Sequence, residues 1–176
     1  MILQMSAAVG SGPTELAAFD DALLKVGAAN FNLVRLSSVI PPGSVVHEQT
    51  GQIPPPGGNW GDRLYVVVAE QRSSRPGGEA WAGIGWVQDE SGRGLFVEHE
   101  GDCEGAVRAE IDASLDQLQR GRGLVLERAH QRVVGGSVTD RPICALVLCA
   151  FATEPWSVPV PTAHDGTRRL QELQRC

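Results

Sequence analysis

The stretch Asn32-Leu33-Val34-Arg35-Leu36-Ser37-Ser38-Val39-Ile40-Pro41-Pro42 decides how this chain is read. Apolar residues alternate up to Leu36, the pattern of a β-strand. The strand runs into two adjacent serines just ahead of a double proline. Proline has no amide N–H and restricts the residue before it, so the Ser37–Ser38 bond sits at a sharply defined strand end. A serine held at such a bond is placed to attack the carbonyl that precedes it. Two readings follow from these residues alone: a site where the chain cuts itself, or a strand that ends on two polar residues and a turn.

The rest of the composition narrows the classes. The 176 residues suffice for one domain with a sizeable core. Hydrophobic residues at 42% and charged residues at 20% fit a globular protein rather than a disordered one. A net charge of −6, with no basic cluster, disfavours nucleic acid as a partner. No segment approaches the roughly 20 apolar residues that cross a bilayer. The start Met1-Ile2-Leu3-Gln4-Met5 lacks a basic n-region and a long apolar run, so no signal peptide is expected. Cys103, Cys144, Cys149 and Cys176 form no CxxC pair and are expected as buried, reduced thiols in a cytoplasmic protein. His47, His99, His130 and His164 show no ligand spacing, and no metal is expected.

Along the chain, residues 2–9 read as a strand. Thr14 reads as the cap of a helix that carries Leu16, Phe19, Leu23, Leu24 and Val26 on its apolar stripe and stops at Gly27. Strands follow near 30–36, 63–70, 79–88 and 94–97, with a Gly- and Pro-rich loop over 41–62 of the functional or mobile kind. Asp102 is expected to cap a second helix with the stripe Val107, Ile111, Leu115, Leu118, followed by strands near 124–133 and 143–151 and a short helix near 167–173. Many strands with two long helices indicate an α+β layered domain.

Three separated motifs turn this outline into a resemblance. They are Leu16-Ala17-Ala18-Phe19-Asp20-Asp21-Ala22-Leu23-Leu24, the Asn32–Pro42 stretch, and Leu95-Phe96-Val97-Glu98-His99-Glu100-Gly101-Asp102-Cys103. Together with the order of elements to about Trp156, they resemble the pyruvoyl-dependent arginine decarboxylases. The resemblance implies a layered αββα sandwich forming a single domain over 1–176. It implies assembly as a trimer or hexamer with active sites between subunits. It also implies a covalent pyruvoyl group made from Ser38 by cleavage into fragments 1–37 and 38–176. Chemically, the Ser38 hydroxyl attacks the Ser37 carbonyl and converts the amide to an ester. β-Elimination frees the Ser37 carboxylate and leaves dehydroalanine at 38, which tautomerises to an imine and, with water supplying the ketone oxygen, loses ammonia. Such a group answers a general need: decarboxylation leaves negative charge on Cα, and no side chain is an electrophile that absorbs it. Lys25 is the only lysine and no Gly-rich phosphate cradle is apparent, so no pyridoxal phosphate site is read.

The resemblance also distributes roles. Glu98 is matched to the proton donor at Cα and to assistance in self-cleavage. Alternation puts Glu98 and Glu100 on one face, where like charges and desolvation raise a carboxyl pKa; a solvated acidic loop is the plainer reading. Asp20 lies at helical spacing with Leu16 and Leu24, either at the rim of the apolar stripe or as anchor for a guanidinium, which a carboxylate pairs bidentately. Asn32 matches a family asparagine, but six residues span about 20 Å of strand, so it needs a bend or a neighbouring subunit to reach Ser38. Leu23, Phe31 and Val39 are expected as apolar walls, and the freed Ser37 carboxylate as a second negative group. Ala29 and Phe31, where smaller residues are usual, and His99, where tyrosine is common, depart from the family pattern, as does the longer tail. The expected activity converts L-arginine to agmatine and carbon dioxide. Its rivals are decarboxylation of another amino acid or amine-bearing metabolite, an uncleaved binding subunit, and a serine hydrolase, which the absence of a Gly-x-Ser-x-Gly elbow disfavours.

Overall fold

An unbroken apolar run, Ile143 to Ala150, is buried on both sides, as expected of a central strand. The computed structural model describes residues 1–54, 57–123 and 128–156. Its elements are β1 (Ile2–Ser11), α1 (Glu15–Val26), β2 (Asn32–Arg35), β3 (Val39–Ile40), β4 (Val45–Glu48), β5 (Arg63–Ser73), β6 (Glu79–Gln88), β7 (Gly94–Gly101), α2 (Glu104–Arg122), β8 (His130–Ser137) and β9 (Ile143–Glu154). One sheet has the order β2-β5-β9-β1-β4, the other β3-β7-β6-β8. The second is antiparallel throughout, whereas β2 and β4 join the edges of the first as parallel strands.

Alternation sorts side chains into three packed layers. Leu3, Met5, Val147 and Cys149 meet Ile84, Trp86 and Phe96 between the sheets. On the outer face of the first sheet, Leu64, Val66, Leu146 and Leu148 pack under Ala18, Ala22, Leu23 and Val26 of α1. Val107, Ile111 and Leu115 of α2 cover Val87, Leu95 and Val97 of the second sheet. The result is the expected α+β arrangement of helix, sheet, sheet, helix.

Several local expectations hold and several are corrected. Thr14 accepts from the Ala17 amide at 3.1 Å and Gly27 closes α1 at φ 82°. Leu16 and Leu24, expected in the stripe, are 67% and 51% exposed, because the small Ala18 and Ala22 make the close contact instead. The cap position of α2 is Cys103, without a side-chain bond, rather than Asp102, and Cys103 is exposed rather than buried. Cys144 and Cys149 are buried free thiols, pushed up by burial to about 11 and about 12. The expected strand near 124–133 begins at His130, and residues 124–127, the tail helix near 167–173 and Cys176 lie outside the described residues. The 41–62 loop holds β4 and is fastened to α1, where the Ile53 amide donates to the Val26 carbonyl at 3.0 Å. Among the described residues no helix is long and apolar enough to cross a membrane.

Two glycines set how closely the helices approach. A Cβ at Gly10 would overlap the Ala18 carbonyl of α1, and one at Gly85 would overlap Ile111 of α2. Gly10→Ala and Gly85→Ala should each lower unfolding free energy by about 1–3 kcal/mol, read by chemical denaturation. Unchanged midpoints would show that the helices shift freely.

Candidate active site

The two serines lie where the chain changes sheets. The Leu36 amide donates to the Val66 carbonyl at 2.9 Å, holding the end of β2 to the first sheet. Two residues later the Ser38 carbonyl accepts from the Phe96 amide at 2.8 Å, already on the second sheet. The Ser37–Ser38 bond bridges this gap, and Ser38 takes φ 65°. Among the described residues it is the only non-glycine with positive φ. A serine there carries about 1–3 kcal/mol of backbone strain, maintained by contacts on both sides.

Alternation on β7 supplies the partner. Leu95 and Val97 face α2, Phe96 faces the space between the sheets, and Glu98 follows Phe96. β3 pairs only with Gly94 and Leu95, so it ends before it covers Glu98. The Ser38 hydroxyl therefore donates a short hydrogen bond to Glu98 Oε1. Burial raises the Glu98 carboxyl above its ordinary range, with a contribution from Glu100; the Ser38 hydroxyl, its own backbone amide and His99 draw it partly back. A carboxylate with raised basicity on a serine hydroxyl suits it to take that proton as the oxygen attacks.

A cavity of about 700 Å³ opens over this pair. One wall holds Ser37, Ser38, Glu98 and His99, and α2 supplies the other with Ser114, Gln117 and Arg122. The structure thus brings together Ser37, Ser38 and Glu98 of the residues singled out in the sequence. It does not bring the others to this cavity within one chain. Asn32 is exposed at the start of β2, where Nδ2 donates to the Gly61 carbonyl, which also accepts from Trp156 Nε1. Asp20 is exposed beside Leu16 and Leu24, on the outward side of α1. Leu23 is 6% exposed beneath α1 and belongs to the core. Phe31 borders a separate recess with Asn32 and Trp60, and Val39 is 55% exposed on β3. The α2 wall was missed in the sequence, although Ser114 lies between Ile111 and Leu118 on a stripe already read as inward.

The family model described as pyruvoyl-dependent arginine decarboxylase matches residues 3–154. The chain belongs to this family. It is 34% identical over 143 residues to the pyruvoyl-dependent arginine decarboxylase of Thermococcus sibiricus, covering 80% of this chain and 87% of the relative. The Pyrococcus furiosus protein of the same name is 35% identical over 147 residues, covering 81% and 89%. That of Halobacterium salinarum is 42% identical over 89 residues, covering 51% and 54%. The family depends on a covalent pyruvoyl group, and the residues here suit its formation: a strained serine, its hydroxyl on a carboxylate, and an open space beside both.

Glu98 must be ionised to accept the Ser38 proton, so scission of newly made chain should slow as pH falls through its raised carboxyl, above the ordinary glutamate range. Glu98→Gln should slow scission at least about 100-fold at neutral pH, followed by gel electrophoresis. Scission unchanged in that variant would remove Glu98 from the chemistry.

Proposed function

We propose that this chain is a self-processing decarboxylase that converts L-arginine to agmatine and carbon dioxide at the Ser38 cavity. The observation that carries this reading is the left-handed Ser38 with its hydroxyl on Glu98. In processing, Glu98 takes the hydroxyl proton, Ser38 Oγ attacks the Ser37 carbonyl, and relief of backbone strain favours the resulting ester. Elimination frees the Ser37 carboxylate and gives fragments 1–37 and 38–176 of one folded domain.

Once formed, the pyruvoyl group would supply an electron-withdrawing carbonyl for the electron pair that carbon dioxide leaves on the substrate Cα. The chain's own residues do the rest. Glu98, held toward its protonated form by burial, delivers a proton to the substrate Cα and keeps that proton from bulk water. The Ser37 carboxylate and Asp20 hold the guanidinium, Asp20 coming from a neighbouring copy in a trimer or hexamer. The exposed face of Leu16, Asp20 and Leu24 supports that assembly, since apolar side chains so exposed on one helix favour burial against a partner. Val39, exposed, and Phe31, half-buried at the rim of the α1 core, serve as walls from the same neighbour, and Asn32 reaches the chemistry only by that route. Leu23 instead supports the helix that carries Asp20. The buried free thiols of Cys144 and Cys149 support a reducing, cytoplasmic setting.

Carbon dioxide release from a panel of amino acids tests the substrate, with arginine expected to lead. Asp20→Asn should raise KM for arginine about tenfold or more, about 1.4 kcal/mol, with less effect on kcat. A panel led by another amino acid, with no response to Asp20→Asn, would reject arginine as the substrate.

A further inference from the structure

The cavity contains a second constellation that the steps above do not use. His99, next to Glu98 on β7, points to the opposite face, toward α2. Its Nε2 lies 2.8 Å from Ser114 Oγ and its Nδ1 lies 3.2 Å from Glu110 Oε2. Ser114 and Glu110 are four apart on α2, so one helix face presents both partners to one ring. The Glu110 carboxylate accepts from Nδ1–H, which leaves Nε2 of the neutral ring to accept from the Ser114 hydroxyl. A hydroxyl on an imidazole that is oriented by a carboxylate is the arrangement that activates nucleophilic serines on unrelated folds, recognised by geometry rather than by chain order. Here His99 and Ser114 both line the cavity of Ser38 and Glu98.

We propose that Ser114, His99 and Glu110 form the proton-accepting unit of this cavity, which receives a proton from the ammonium group of an amine substrate. The inference rests on the reading that the cavity takes such a substrate. An amine of this class arrives largely protonated at neutral pH and must lose a proton before its nitrogen is a nucleophile. Burial holds Glu98 toward the protonated form that the later transfer to Cα requires, so a separate acceptor for the ammonium proton leaves that acid loaded. In the relay, a substrate N–H bond breaks and its proton passes to Ser114 Oγ. The Ser114 proton passes to His99 Nε2, and the imidazolium that forms is stabilised by Glu110. The products are a neutral amine and a charged ring, with no electrons exchanged. The charged groups around His99 are Glu110 on α2, Glu98 and Glu100 along β7, and Arg122 at the end of α2; β6 offers only Gly83 opposite it.

A fluorophosphonate probe reads the activation of Ser114 without decarboxylation. It is applied to the full-length Ser38→Ala chain, which makes no pyruvoyl group, from about pH 5 to about pH 9. Peptide mapping should find the adduct on Ser114, forming more slowly as pH falls and the imidazole takes up a proton. His99→Gln should slow labelling at least about tenfold. Glu110→Gln alters a side chain 61% exposed, keeps the fold, and should slow labelling, because the ring loses the carboxylate that orients it. Labelling scattered over surface serines, or equal in the Ser38→Ala chain with and without His99→Gln, overturns the relay. Self-cleavage of the wild-type chain is scored separately, so an uncut wild type would defeat the proposed function while leaving Ser114 reactivity as measured.

Discussion

The structure depends on a short span of backbone that must leave one sheet and join another within two residues. Leu36 is held by the Val66 carbonyl and Ser38 by the Phe96 amide. Neither anchor yields easily, since Val66 and Phe96 are almost wholly buried. The misfit is concentrated in Ser38, which adopts a conformation that side-chain-bearing residues rarely accept. Three packed layers, each too dense to adjust, keep it there. The strain is local and its support is global.

The same constraint aims the chemistry. An edge strand as short as β3 covers β7 only as far as Leu95 and leaves Glu98 uncovered beside the serine. Burial of that carboxylate raises its proton affinity, which suits the two roles proposed for it, as base toward the Ser38 hydroxyl and as acid toward carbon. The cavity shared with α2 then gives room for a substrate, with Glu98 on one face of β7 and His99 on the other. Neighbouring residues on one strand thus bring two titratable groups to one space from opposite sides.

Much of this was legible in the sequence because it follows from short-range rules. Thr14 and Gly27 bound α1, alternation located the long strands, and the serine pair before Pro41-Pro42 and Glu98 were singled out as residues that the structure brings to one cavity. What was not legible depended on how faces pair in space. Of the α1 stripe read as Leu16, Phe19, Leu23, Leu24 and Val26, Leu23 and Val26 are buried, but close approach over Gly10 brings in Ala18 and Ala22 and turns Leu16, Asp20 and Leu24 outward. β4 was hidden in a Gly- and Pro-rich stretch because its partner, β1, is remote in sequence. The Ser114 wall was hidden because a lone serine on a helix carries no signal until the helix is seen lying beside Ser38.

The most direct measurement is the denatured mass of freshly purified protein. Two species are expected, dividing the sequence between Ser37 and Ser38, the larger carrying a ketone in place of its terminal amine. A single full-length mass from protein that nonetheless releases carbon dioxide from arginine would contradict that division.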